Sequence, residues 1–90
     1  MWELKITRQF KKDLKRYQNR QDKMASLLIV LKMLQKTGIV SREYKPHMLA
    51  GGYEGYMECH VENDLLLIWF DKEENIIKLV RFGTHSELFK

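Results

Sequence analysis

Five residues carry most of the chemistry available to this chain: His47, His60, Asp64, Arg81 and His85. The densest stretch is Arg81-Phe82-Gly83-Thr84-His85-Ser86-Glu87-Leu88-Phe89, which follows the apolar run Ile76-Ile77-Lys78-Leu79-Val80. It combines a permanent cation, a glycine able to turn the chain through a conformation closed to other residues, an imidazole and an aromatic ring. Imidazole suits either direction of proton transfer because it titrates near neutrality. The guanidinium of Arg81 stays charged and forks onto phosphate oxygens, and Phe89 offers a face on which a base can stack. Such a set suits RNA cleavage without a metal. A base removes the 2′-hydroxyl proton, an acid protonates the departing 5′-oxygen, and a cation stabilises the phosphorane.

Each of these residues also has a structural reading. Asp64 sits in Glu62-Asn63-Asp64, a turn composition in its own right. Arg81 shares phase with Ile77 and Leu79, which would leave it half-buried and paired with Glu58 or Asp64. Phe89 could close the core beneath the tail, and Tyr53, Tyr56 and Trp69 read as packing. The three histidines match no local zinc-ligand spacing and there is one cysteine, so neither a metal nor another cofactor is expected. Cys59 falls in phase with Met57 and Val61, as a small buried hydrophobe rather than a nucleophile.

The elements that must position these groups fit in one domain, residues 1–90, near the lower limit for a core without staples. A 44% hydrophobic content with a single proline describes a folded chain. The lone cysteine excludes an internal disulfide, no apolar run approaches a membrane span, and polar residues come too early for a signal peptide, so a cytoplasmic protein is expected. The net charge of +4 is unevenly spread. Residues 1–36 contain ten lysines and arginines, Lys11, Lys12, Lys15 and Arg16 among them, against Glu3, Asp13 and Asp22. This asymmetry suits either a polyanionic partner or a solvated helix face.

Trp2 to Ile6 alternates apolar and polar residues, which predicts a half-buried strand. Thr7 then stands as an N-cap, and Phe10, Leu14 and Tyr17 recur at helical spacing to about Asn19. Asp22 is the expected cap of a second helix with the stripe Met24, Leu27, Leu28, Leu31 and Leu34, ending at Gly38. Residues 39–52 are irregular. The period then changes to two: Gly55 to Val61 predicts a strand with Glu58 and His60 on its exposed side, Leu65 to Phe70 a central strand, and Ile76 to Phe82 a third. Thr84 and Glu87 form a capping box for a last helical turn that holds His85. The expected fold is α+β, in the order β-α-α-β-β-β, with a helical hairpin on one face of an antiparallel sheet and a short C-terminal helical turn. In a meander the first and third strands run the same way. His60 and Arg81 should therefore emerge at one edge beside Asp64, unless the register slips by one.

The second half resembles the YafQ-type toxins of the RelE superfamily of bacterial toxin–antitoxin systems. The matching residues are Tyr44-Lys45-Pro46-His47 with Leu49 and Gly51, then Gly55-Tyr56, His60-Val61-Glu62 with Asp64, Leu66-Leu67-Ile68, Arg81, and Gly83 through Phe89. The first half matches by layout, through an opening strand and Phe10-Lys11-Lys12-Asp13 on the first helix. Leu65 departs from the aromatic that can follow the acidic residue in this family. The resemblance implies a ribosome-dependent mRNA endonuclease that cuts the A-site codon, leaves a 5′-hydroxyl, and is silenced by an acidic cognate antitoxin. An antitoxin complex of this kind can also bind operator DNA. By position, His47, His60, Asp64 and His85 fall on the family's acid–base set, Arg81 on its phosphate-stabilising arginine, and Phe89 on its base-contacting aromatic. His85 would be the acid, with Asp64 or His60 the base and His47 positioning or shuttling. The basic helices, through Lys11, Lys12, Lys15 and Arg16, would meet ribosomal RNA. Two alternatives belong to other classes: a ParE-like inhibitor of DNA gyrase without nuclease activity, and a degenerate toxin that only binds its antitoxin and operator.

Overall fold

A computed structural model describes residues 1–53 and 55–89, with the side chains of residues 53, 72 and 73 outside the description. The packing expectation for Tyr53 therefore lies outside the described residues. The elements are β1 (Glu3–Ile6), α1 (Arg8–Tyr17), α2 (Gln21–Thr37), β2 (His47–Met48), β3 (Tyr56–Glu62), β4 (Leu65–Glu73), β5 (Ile76–Gly83) and α3 (His85–Leu88), with 3-10 turns at Arg42–Tyr44 and Gly51–Tyr53. Among the described residues the sheet has the order β1-β5-β4-β3-β2. The α+β expectation and the antiparallel meander are met. The sheet as a whole is mixed, because β1 adds to β5 in parallel, Glu3 opposite Ile76 and Ile6 opposite Leu79. No helix among the described residues is long and apolar enough to cross a membrane.

Both helices cover one sheet face. Phe10, Tyr17, Leu27, Val30 and Leu34 pack there against Cys59, Val61, Leu65, Leu67, Trp69, Ile77, Leu79 and Phe82. β4 is apolar on both sides because both are covered. Leu66 and Ile68 belong to a second, smaller cluster with Leu88, joined by Leu49, Tyr56, Val80 and Phe89. Trp69 is buried, as its packing role required, with its indole N–H unpartnered among the described residues.

Local chemistry explains the element boundaries, with several departures. Thr7 caps α1 by accepting from the Phe10 N–H at 3.2 Å, and its hydroxyl donates to the Leu79 carbonyl at 2.9 Å, tying the turn to β5. α1 stops at Tyr17, two residues short of Asn19. Asp22 does not cap α2: Arg20 occupies the N-cap position without a side-chain bond, and Asp22 lies in the first turn, where a negative charge still favours the helix dipole. The buried stripe of α2 is Leu27, Val30 and Leu34, while Leu28 is 54% exposed, so i+3 and i+7 from Leu27 win over i+1. Ile6 is also exposed rather than on the covered side of β1. Gly38 ends α2 at φ +73, as expected, and a Cβ there would clash with the Trp2 ring. Gly83 serves a different purpose from the one expected. A Cβ there would meet Glu87 Oε1 at 2.7 Å, so glycine admits a close approach of α3 and is not needed for a left-handed turn.

Three register shifts interrupt the meander, one between Phe70 and Glu73 and two next to the site. On β5, Ile68 faces Arg81 but Trp69 faces Leu79, which leaves Val80 as an extra residue. On β3, His60 faces Leu66 but Glu62 faces Leu65, leaving Val61 extra. Each bulge re-aims the residues beyond it. Thus Leu79 and Phe82, three apart, both enter the helix-side core.

The partner of Arg81 is neither Glu58 nor Asp64 but Asp13. β1 ends opposite Leu79, so β5 has an open edge beyond it. The fully buried Asp13 carboxylate on α1 fills that gap. Asp13 Oδ2 accepts from Arg81 Nε and from the Phe82 N–H, both at 2.9 Å, and Oδ1 accepts from Gln9 Nε2 at 3.2 Å and Arg81 Nη2 at 3.4 Å. Removing one member of a buried ion pair strands the other and costs about 3–5 kcal/mol. Asp13→Ala is expected to lose that much in urea unfolding, with Asp13→Asn recovering part of it by retaining an acceptor.

Candidate active site

The registers assemble a row across the sheet face opposite the helices. His47 of β2 faces Glu58 of β3, Glu58 faces Ile68 of β4, and Ile68 faces Arg81 of β5. The neighbouring row runs His60, Leu66, Gly83, and Gly83 leads within two residues to His85. The His47 and His60 rings lie 6.4 Å apart between centroids. Asp64 stands in the two-residue turn after the β3 bulge, and its Oδ1 accepts from the His85 N–H at 3.1 Å. The His85 and Phe89 rings are 5.1 Å apart. Hence His47 pairs with His60, and Asp64 with His85 and Phe89, along the same side of the meander. Arg81 reaches past the open edge to Asp13, with its side chain 21% exposed.

Hydrogen bonds fix the histidine tautomers. His60 Nδ1 lies 3.0 Å from the Asn63 carbonyl, which can only accept. Nδ1 therefore carries the proton, and in a neutral ring Nε2 holds the lone pair. His47 is held on both sides: Nδ1 is 2.9 Å from the Lys45 carbonyl, and Nε2 is 3.1 Å from Glu58 Oε1. Both ring nitrogens of His47 are thus engaged within the protein. Glu58 is itself 4% exposed, and its Oε2 has no hydrogen-bond partner among the described residues. β3 was expected to expose Glu58, yet the side chain is buried beside His47. The signal was its phase with Tyr56 and His60; what hid its burial was the cover that Leu49, Tyr56, α3 and Phe89 give this face.

Asp13 was also missed as a member of the site, although it stands three residues after Phe10 and four before Tyr17, on the buried stripe of α1. The basic residues Lys11, Lys12 and Lys15 are exposed on that helix, and Arg16 lies 3.6 Å from Glu87 Oε2. Cys59 is buried as expected, and burial pushes its thiol up to about 12, which leaves it inert. Clefts of about 490 Å³ and 220 Å³ flank the Asn63–Asp64 turn, the first touching Asp64 and Thr84, the second His60 and Lys45.

Two carboxylates brace the site from the helix side. Glu62 bonds Lys23 and Ser26 of α2, and these bonds hold its carboxyl below the usual carboxylate range. Glu87 completes the capping box, donating its N–H to Thr84 Oγ1 at 3.3 Å and accepting from the Thr84 N–H at 2.8 Å. Burial pushes the Glu87 carboxyl up, but bonds from Tyr17 and Thr84 and the Arg16 charge outweigh this and lower it. The Tyr17 phenol is pushed up to about 12 by burial and by its bond to Glu87. A carboxyl held low in the folded state stabilises above its unfolded value and loses that contribution as pH falls through the folded one. Stability is therefore expected to fall as pH drops below the ordinary glutamate value of 4.5. Urea midpoints measured against pH should show this acid limb flattened in Glu62→Gln, with a lower midpoint at neutral pH.

Among the described residues no three or more His, Cys, Asp or Glu side chains converge to hold a metal ion. The family model for the bacterial toxin of type II toxin–antitoxin systems, YafQ, matches residues 2–90. The mRNA interferase toxin YafQ of Escherichia coli K12 is 33% identical over 88 residues, 97% of this chain and 95% of that protein. The toxin in a crystal structure of the Escherichia coli DinJ–YafQ toxin–antitoxin complex superposes with a TM-score of 0.84 at 32% identity, over 99% of this chain and 98% of the other. A metal-bound toxin from Helicobacter pylori superposes with a TM-score of 0.85 at 38% identity, over 99% of this chain and 100% of the other. The donor set of the described residues in this chain does not fit a metal. The sequence match over nearly the whole chain and the shared fold together establish that the chain belongs to the YafQ family of type II toxin–antitoxin toxins.

Proposed function

We propose that this toxin is an endoribonuclease that cuts mRNA in the ribosomal A site, using side-chain acid–base chemistry alone. The observation that carries this reading is the gathering of His60, Asp64 and His85 at one end of the meander, with Arg81 in the adjoining row. The relatives named mRNA interferases support the substrate class. His60 is the base: its Nδ1 is occupied by Asn63, so Nε2 takes the 2′-hydroxyl proton. The 2′-oxygen attacks phosphorus, and His85 returns a proton to the departing 5′-oxygen, which leaves as a hydroxyl. A 2′,3′-cyclic phosphate remains on the upstream fragment. Asp64 is the runner-up for base. One of its oxygens is spent on the His85 backbone, which makes it chiefly the residue that seats the acid.

Arg81 has five N–H donors and spends Nε and one Nη2 hydrogen on Asp13, so three remain for the phosphorane. His47, with both ring nitrogens engaged by Lys45 and Glu58, helps to position the site beside His60 rather than taking the 2′-hydroxyl proton. Phe89, set against His85, stacks on a base. Lys11, Lys12, Lys15 and Arg16 face solvent and contact ribosomal RNA phosphates. A cognate antitoxin of acidic character, the counterpart of DinJ in the Escherichia coli complex, would silence the toxin by occluding this surface. The same complex would bind operator DNA, and the site of action is the cytoplasm.

Mapping mRNA 5′ ends after brief induction tests the nuclease. Wild type should yield new 5′-hydroxyl ends at fixed positions within in-frame codons. His85→Ala and Arg81→Ala should reduce cleavage by at least about 100-fold, in the range of a lost acid or a lost charge-stabilising donor. Growth arrest with no new ends, but with relaxed plasmids and DNA breaks, would instead identify a gyrase inhibitor. Neither arrest nor new ends would identify a toxin that only binds its antitoxin and operator.

Ribosome association should fall log-linearly with salt, and neutralising Lys11, Lys12 and Lys15 together should make that slope shallower by about two units. An unchanged slope in ribosome pelleting assays would remove these residues from the RNA interface.

A further inference from the structure

We propose that Glu87, gripped from α1 by Tyr17 and Arg16, is the positioning residue that seats His85 for proton transfer. The inference rests on the assignment of His85 above and adds a function for residues on the opposite side of the sheet.

α3 has four residues, and a helix so short has no stability of its own. Something outside it must fix the His85 ring. Asp64 holds the His85 N–H, and Leu88 buries into the small second cluster. Neither contact reaches back to the main core. Glu87 does. Its Oε1 accepts both the Tyr17 hydroxyl and the Thr84 N–H, and its Oε2 faces Arg16. Tyr17 is 7% exposed, with its ring edge-on to Phe82 at 5.1 Å, so the hydroxyl that grips Glu87 is fixed by the core. Gly83 makes the grip possible, because any Cβ there would displace the Glu87 carboxylate.

The chain of contacts thus runs from the helix-side core through Tyr17 to Glu87, then through one helical turn to His85. The Tyr17 phenol, pushed up to about 12, remains a hydrogen donor throughout the working pH range. Glu87, held low, remains an acceptor. The grip is therefore constant around neutral pH.

The test combines single-turnover cleavage of mRNA on programmed ribosomes with amide hydrogen exchange of the free protein. The full chain is compared with Glu87→Gln, Tyr17→Phe and the double variant. A misplacement of the acid by about 1 Å costs on the order of 100-fold in rate. Glu87→Gln should therefore cut about 10- to 100-fold more slowly at saturating ribosomes, with the half-saturating concentration changed less than about threefold. Tyr17→Phe should lose less, since Thr84 and Arg16 still hold the carboxylate. The double variant should be no slower than Glu87→Gln within about twofold, as for two groups acting as one unit. Exchange at the Leu88 and Phe89 amides, which bond to the Thr84 and His85 carbonyls, should quicken in Glu87→Gln while the α2 amides keep their protection.

A wild-type rate in Glu87→Gln, or losses that simply add in the double variant, would overturn the proposal. So would a loss of protection spread evenly through α2, which would mean general destabilisation. If the wild type itself does not cut mRNA, the nuclease assignment fails. The exchange data would then decide alone, and unchanged Leu88 and Phe89 exchange would overturn the grip.

Discussion

One buried carboxylate lets this sheet have the edge it has. β1 covers β5 only as far as Leu79, and beyond that point the backbone of β5 would present an unpaired donor to the core. Asp13 supplies the acceptor for the Phe82 N–H and the counter-charge for Arg81 from a single side chain. An unpaired buried amide or charge would cost more than the contact stabilises. The carboxylate therefore sets the depth to which α1 docks and the height at which β5 leaves the sheet. Everything downstream of Phe82, including Gly83, the capping box and the His85 turn, takes its position from that docking.

The sheet separates two kinds of work. On the helix side lies an ordinary apolar core, closed by Trp69, Phe10 and Phe82. On the other side a thin cover of Leu49, Tyr56, Leu88 and Phe89 leaves room for imidazoles at the margin. The bulges at Val61 and Val80 stand where these roles meet. Each lets one strand send consecutive residues to unexpected sides: Val61 and Glu62 face the helices, just after His60 faces the site. Glu62 can then anchor to Lys23 and Ser26 while His60 keeps its bond to Asn63. The turn bearing Asp64 is held from both sides of the sheet.

Family membership and site geometry answer different questions. The match over residues 2–90 says that the chain is a YafQ-family toxin. It does not say which nitrogen is free. That follows from acceptors at hydrogen-bonding distance, Asn63 for His60 and the pair Lys45 and Glu58 for His47. Two histidines with rings 6.4 Å apart thereby acquire different capabilities. One is held at a single ring nitrogen, and the other is held between two acceptors.

Local residue patterning was enough to define the periodic parts of this chain. Alternation marked β3, two-sided hydrophobicity marked β4 as central, and the Thr84–Glu87 spacing marked the final helical turn, because these signals depend on neighbours within a few residues. It also supplied the family, since the motif residues stand at fixed places along the chain. The tertiary structure decided what depends on which strand comes to lie beside which. The parallel pairing of β1, the burial of Glu58 beneath a cover built from distant segments, the bond between Asp13 and Arg81 across 68 residues, and the true reason for Gly83 all belong here. A one-residue bulge reverses the face of everything beyond it at almost no cost in composition. Periodicity can therefore name the residues of such a site, but only the folded sheet decides which of them meet.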